Sequence, residues 1–346
     1  MKMKKVLAML LAAVMAASMA ACTGTAPAAT EAPAPTAAAT EAVTEAPAAD
    51  TEAAKTSTVG ICQLVQHPAL DAATEGFKAA LTEALGDAVT FNEQNASGES
   101  TNCATIINGF VSSNVDLILA NATSPLQAAV SATSTIPVLG TSITDYASAL
   151  EIDNWTGTVG TNVSGTSDLA PLDQQAAMLQ ELFPDAKTVG LLYCSAASNS
   201  KYQVDVIRGY LEAAGITCTD YAFTDTNDVA SVAQKAADDS DVIYIPTDNT
   251  AASNTEAIAN VVIPAKTPVI AGEEGICKGC GVATLSISYY DLGYATGKMA
   301  VKILTGEADI STMPVEYAPQ VTKKYNAANC EALGITVPEG YVAIED

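Results

Sequence analysis

A chain of 346 residues with 39 acidic and 15 basic side chains carries a formal charge of −24. Such an acidic surplus excludes a surface for nucleic acid or for a polybasic membrane contact. The length leaves room for two separate hydrophobic cores.

The chain begins with MKMKK, a basic stretch, followed by the apolar run VLAMLLAAVMAASMA. That run is short and ends in small residues, so residues 1–21 are expected to form a signal peptide and not a membrane span. The small residues of MAAC, 19–22, resemble a bacterial lipobox, with Met19 where leucine is commoner. The resemblance implies cleavage before Cys22 and lipid on that residue; the alternative is plain secretion with Cys22 incidental. Residues 22–57 are dominated by Ala, Thr, Pro and Glu, with Val43 as the one large aliphatic side chain. Such a segment buries too little apolar surface to offset its ordering entropy, and a disordered tether is expected. Removal of the leader leaves 12 basic residues against 39 acidic ones.

From residue 58, short apolar runs alternate with amphipathic stretches. STVGICQLV predicts a buried strand, and Leu70, Ala73, Phe77, Leu81 and Leu85 recur at helical spacing. AVTFNEQ predicts a strand, 99–113 a helix, VDLILA a strand, 125–133 a helix and IPVLG a strand. The order recurs from about residue 185: VGLLY, a helix carrying Val204, Ile207 and Leu211, GITCTDYAF, a helix over 228–239, DVIYI, a helix over 251–265 and TPVIA. The offset is nearly constant: Val59-Gly60 matches Val189-Gly190, 130 residues on, and PVLG at 137 matches PVIA at 268, 131 on. A helix over 290–304 follows. This is an α/β pattern of two similar Rossmann-like lobes, each a parallel sheet covered on both faces.

Ligands of such sheets bind beyond the C-terminal strand ends. Two facing lobes therefore set matched loops across one cleft. His67, the only histidine, follows the first strand; Asn199 and Ser200 occupy the matching loop of the second lobe. Thr123 and Ser124 follow VDLILA, and Thr247, Asp248 and Asn249 follow DVIYI. Glu273 and Glu274 follow PVIA, with a solvated loop as the alternative. Asp145 in TDY suits a turn or the cleft.

Eight cysteines, of which Cys22 has the role above, leave seven scattered ones and a poor disulfide framework. CKGC, 277–280, sits in a Gly-rich stretch expected to be a loop. A zinc site needs two further good ligands, so no metal is expected. An incidental pair and a local disulfide both remain open. No nucleophile elbow, phosphate-binding loop or dinucleotide fingerprint accompanies His67, so no enzyme activity and no cofactor are expected.

The strings HPALDAATEGFKAAL, QNASGESTN, ATSPLQAA, NVSGTSDL, NSKYQV, VIYIPTDNTAAS and YYDLGYATGKMAVKILTGE stand in order over about 58–340. Together they resemble ABC-transporter substrate-binding lipoproteins of the periplasmic-binding-protein type I fold, and among these the tryptophan- and aromatic-amino-acid-binding family. The resemblance implies a cleft closing by hinge motion on a small ligand, an aromatic amino acid favoured. It implies delivery to a membrane permease driven by a separate ATPase, a lipid anchor at the bacterial cell membrane and a monomeric chain. The rival implication is a sensor feeding a signalling receptor. Lobe one is expected to comprise 58–166 plus 288–316 and lobe two 167–287 plus 317–346, with crossings near 163–169, 284–289 and 314–320.

A zwitterion needs donors for its carboxylate and an acceptor for its ammonium. Helix starts carrying Thr123, Ser124, Asn199 and Ser200 supply the donors. Asp248 is the first candidate for the ammonium and Asp168 the second. All of these are also good helix-cap types. Trp155, the only tryptophan, lies on a loop and either lines a pocket or anchors that loop.

Overall fold

The computed structural model describes residues 56–318 and 320–345. The expected signal peptide, the lipidation site at Cys22 and nearly all of the tether lie outside the described residues. Ser57 already belongs to the body, because it pairs with Val89 in the first sheet.

The first lobe runs β1 (Ser57–Gln63), α1 (Pro68–Leu85), β2 (Val89–Asn95), α2 (Ser100–Ser112), β3 (Leu117–Asn121), α3 (Thr123–Ala132), β4 (Val138–Ile143), α4 (Tyr146–Ala149) and β5 (Val163–Ser167). The second runs α5 (Leu172–Leu182), β6 (Thr188–Cys194), α6 (Ser198–Ala213), β7 (Thr217–Phe223), α7 (Val229–Asp239), β8 (Val242–Ile245), α8 (Asn249–Ala252), α9 (Thr255–Ala265), β9 (Val269–Ala271), α10 (Glu274–Cys280) and β10 (Ala283–Ser286). The chain ends with α11 (Tyr289–Leu304), β11 (Glu316–Tyr317), β12 (Thr322–Tyr325), α12 (Ala327–Leu333) and β13 (Val342–Ala343).

Strands β3, β4 and β5 are buried at every residue, as strands covered by helices on both faces must be. The first sheet has the order β11-β5-β4-β3-β1-β2 and the second β13-β12-β10-β9-β8-β6-β7. Stripped of their edge strands, both have the same 2-1-3-4-5 order of parallel strands, which is the repeat visible in the sequence. The edges differ: β11 joins β5 in parallel, whereas β12 runs antiparallel to β10.

Three connections pass between the sheets, from β5 to α5, from β10 to α11 and from β11 to β12. Helix α11 returns to the first lobe and lies along α1 at backbone contact. A side chain at Gly293 would strike the Ala73 carbonyl, and one at Gly76 the Tyr290 carbonyl. Each lobe has apolar clusters of its own, but one cluster joins Ala69 and Ala73 of α1 and Leu292 of α11 to Leu191, Val204 and Ile207 of the second lobe. The apolar core is thus continuous across the seam.

Two local expectations need correction. The helix placed at 251–265 is two helices, because Asp248 caps α8 and the chain turns at Asn254 before α9. CKGC is not a loop: it forms the last turn of α10. Glu273 starts this helix, its carboxylate accepting the backbone N–H groups of Gly275 and Ile276 despite the glycines. Cys277 and Cys280 are buried and free, as are the other described cysteines except the half-buried, free Cys218. Among the described residues no helix is long and apolar enough to cross a membrane.

Candidate functional site

The C-terminal ends of both parallel sheets face one seam. His67 ends the loop after β1 and stands at the N-cap of α1, 7 % exposed. Its Nε2 lies 3.0 Å from Oδ1 of Asn249, the first residue of α8 in the other lobe. An amide oxygen only accepts, so Nε2 carries the hydrogen and donates. Burial lowers the imidazole pKa, against the opposing pull of Asn249, Asp71 and Asp248, and leaves the ring neutral at pH 7. Asp71, in the first turn of α1, accepts from Gln63 Nε2 at 2.7 Å. Gln63 Oε1 in turn accepts from Thr74, which also receives Asn121 Nδ2. This polar network fixes the loop that carries His67.

Asp168 lies on the first connection between lobes, 3 % exposed. It does not cap α5, whose N-cap is Pro171. Its Oδ2 accepts from Tyr289 Oη, on the second connection, at 2.9 Å. Its Oδ1 is buried and accepts no hydrogen bond of ordinary geometry, although the Thr144 hydroxyl lies close to the carboxyl. Burial pushes this carboxyl up to about 6, although Tyr289, Thr144 and its own backbone N–H pull the other way. Glu273, also 3 % exposed, stands at the end of β9 in the second lobe, where it starts α10. Burial pushes it up to about 7, with the charges of Glu274 and Asp168 adding to the effect. The Thr247 hydroxyl sits beside Tyr289 and donates to Gly272 O at 3.3 Å. On the first-lobe side Ser142, at a positive φ of 57°, has a buried hydroxyl without a partner. A buried polar atom without a protein partner calls for water, an ion or a ligand.

Two helix starts border a separate cavity at the seam. The N-cap positions of α3 and α6 are Ala122 and Ala197, which have no side chain able to cap. Thr123, Ser124, Asn199 and Ser200 therefore occupy the first turns, and their helix-start N–H groups lack side-chain caps. Thr123, Ser124, Asn199 and Asn249 line a cavity of 310 Å³ at this edge of the seam. Asn199 also donates to Thr247 O at 3.0 Å.

Other residues expected at the site are committed elsewhere. Asp248 Oδ2 accepts from Cys194 N and from Ser200 Oγ, each at 2.7 Å, and Oδ1 accepts from Ala251 N at 2.9 Å. It braces β6, α6 and α8 of its own lobe, and Ser200 belongs to that brace. Asp145 caps α4 through Ser148 N at 2.7 Å and lies near Tyr202 of α6. Glu274 pairs with Lys324 Nζ at 2.7 Å and accepts from Ser286 Oγ. It lines a second hollow of 680 Å³ with Pro68, Tyr290 and Lys324. Trp155 stacks on Tyr146, centroids 6.3 Å apart, and anchors its loop.

Of the residues in the cluster, the pairing of Tyr289 with Asp168 had no sequence signal beyond Tyr289 lying near a strand end. Thr144 and Ser142 had none: a positive φ at a serine leaves no mark in composition.

A family model described as ABC transporter substrate binding protein matches residues 58–344. The chain is 34 % identical over 268 residues, 77 % of each chain, to a protein named tyrosine-binding protein from Clostridioides difficile (strain R20291). It is similar to the ABC domain in complex with L-Trp from Streptococcus pneumonia, with 33 % identity and a TM-score of 0.79 over 84 % of this chain and 100 % of that one. Against the ligand-free, open structure of a substrate binding protein with adhesive properties from Clostridium difficile, identity is 36 % but the TM-score is 0.64, over 84 % and 99 %. In this structure the two lobes meet at the seam through the His67–Asn249 bond.

Proposed function

We propose the following function for this chain, which belongs to the ABC transporter substrate binding protein family: it captures an aromatic amino acid between its lobes outside the cytoplasm and delivers it to a membrane permease powered by a separate ATPase. The observation that carries the ligand class is the unpartnered, buried Oδ1 of Asp168. An ammonium placed there satisfies the orphaned oxygen and the charge together. The uncapped starts of α3 and α6 suit the ligand carboxylate, with Thr123, Ser124 and Asn199 adding donors. Asp168 is preferred over Asp248 for the ammonium, because both oxygens of Asp248 already hold donors of the protein. The relatives named for tyrosine and L-Trp support an aromatic side chain.

Ligand contacts to both lobes favour the closed form by differential affinity, with the three connections as hinge. Cys22 is the anchor in this reading, and residues from 22 to the start of β1 the tether that lets the body reach a permease. A thermal-shift screen of the chain without residues 1–21 tests the ligand class. L-tyrosine or L-tryptophan is expected to raise the melting temperature above that with aliphatic amino acids. No shift with any amino acid would exclude the assignment. Loss of metabolic lipid labelling in Cys22→Ala tests the anchor.

A further inference from the structure

We propose that capture of a zwitterionic amino acid takes up one proton from solution, and that Glu273 holds it in the closed cleft. This rests on the amino-acid reading above. The geometry is a charge count. The closed seam buries two carboxyls at its centre, Asp168 on the first connection and Glu273 at the start of α10, each 3 % exposed. Among the described residues, no lysine or arginine forms an ion pair with either one. Lys324 is held by Glu274, and Lys278 Nζ is directed to the Glu345 carbonyl.

The groups facing Glu273 do not compensate it. From the first connection it meets Asp168, from α11 the Tyr289 phenol, and on its own helix Glu274, Cys277 and Cys280. From α1 come Pro68 and Ala69, which share a hollow with it, and the neighbouring His67 is neutral. The ligand contributes one ammonium and one carboxylate. The ammonium neutralises Asp168, and the ligand carboxylate is met by helix-start N–H groups. One buried carboxylate then remains without a cation. Two backbone N–H bonds from Gly275 and Ile276 soften that cost without cancelling it, and a proton removes it.

In the open form the lobe carrying α10 parts from α1, so Glu273 regains water and the ordinary glutamate range. In the closed form its carboxyl is pushed up to about 7. A group whose pKa is raised by closure favours closure at low pH and loses that contribution as pH rises. Affinity is therefore expected to fall by nearly tenfold per pH unit from about 4.5 to about 7, then to level off.

The test is calorimetry of L-tyrosine and L-tryptophan binding to the mature chain at pH 6, in phosphate and in imidazole buffer. These buffers differ widely in ionisation enthalpy. Uptake of close to one proton per ligand makes the observed heats differ accordingly, and Glu273→Gln abolishes both the difference and the pH slope. Equal heats in the two buffers with binding intact overturn the proposal. Uptake that persists in Glu273→Gln overturns its assignment to this residue. Absence of binding by either amino acid fails the amino-acid reading itself, a separate result. The buffer comparison needs only the wild-type protein.

Discussion

His67 donates its Nε2 hydrogen to Asn249 Oδ1 at 3.0 Å, joining residues 182 apart in sequence and on opposite lobes. The bond exists only while the cleft is shut, so it belongs to the free energy of closure and not to that of either lobe. A single buried hydrogen bond contributes about 1 kcal/mol.

Asn249→Ala is accordingly expected to weaken amino-acid affinity about fivefold, mainly through faster dissociation, while the melting temperature of the ligand-free protein changes little. Stopped-flow release combined with calorimetry checks this. An unchanged dissociation rate would mean that the bond does not hold the lobes together.

Asp168→Asn is expected to act in opposite directions on binding and stability. Loss of the ammonium's charged partner should cost about 2–3 kcal/mol of affinity. The ligand-free fold should be no less stable, because the amide removes a buried charge that has no cation partner. Calorimetry and thermal melts of the same preparation separate the two effects.

Asp248→Ala should do the reverse of Asp168→Asn. Its carboxylate holds Cys194 N, Ser200 Oγ and Ala251 N, so truncation leaves buried donors unpaired in the second lobe. A loss of about 3 kcal/mol in folding stability is expected from denaturant titration. Retention of full stability with abolished binding would restore Asp248 as a ligand residue.

The pH dependence of the closed form's stability follows from the buried carboxyls. Asp168 and Glu273, pushed up to about 6 and about 7, favour the closed fold fully below their ordinary values and lose that contribution as pH rises through the raised ones. Thermal stability should decline from pH 5 to pH 8. His67, lowered by burial, has the opposite sense and weakens the fold as pH falls below about 6.5. One imidazole stands against two carboxyls, so the decline towards pH 8 should dominate, and a flat melting profile would contradict it.

The two-lobed α/β architecture was legible because it rests on patterns local in the chain. Apolar runs such as VDLILA and DVIYI are too short for helices and too continuous for one-sided strands, and they recur at a nearly fixed offset. The same repeat paired the loops of His67 and Asn199, and so located the seam. The helix at 274–280 was not legible, because its start depends on the Glu273 carboxylate reaching two backbone N–H groups, against the low helix propensity of Gly275 and Gly279.

The sequence by itself determined the succession of strands and helices, the duplicated sheet order and the set of polar residues at the strand ends, since these follow from hydrophobic periodicity and from where turns must fall. Only the tertiary structure decided what each polar residue does. Asp168 and Asp248 are the same residue type at equivalent kinds of position, and both could have capped a helix. The fold surrounds Asp248 with three donors of its own lobe and leaves one oxygen of Asp168 buried and bare. Apart from the local cap on Ala251, that difference comes from hydrogen bonds between residues 48, 54 and 121 positions apart, which no local pattern encodes.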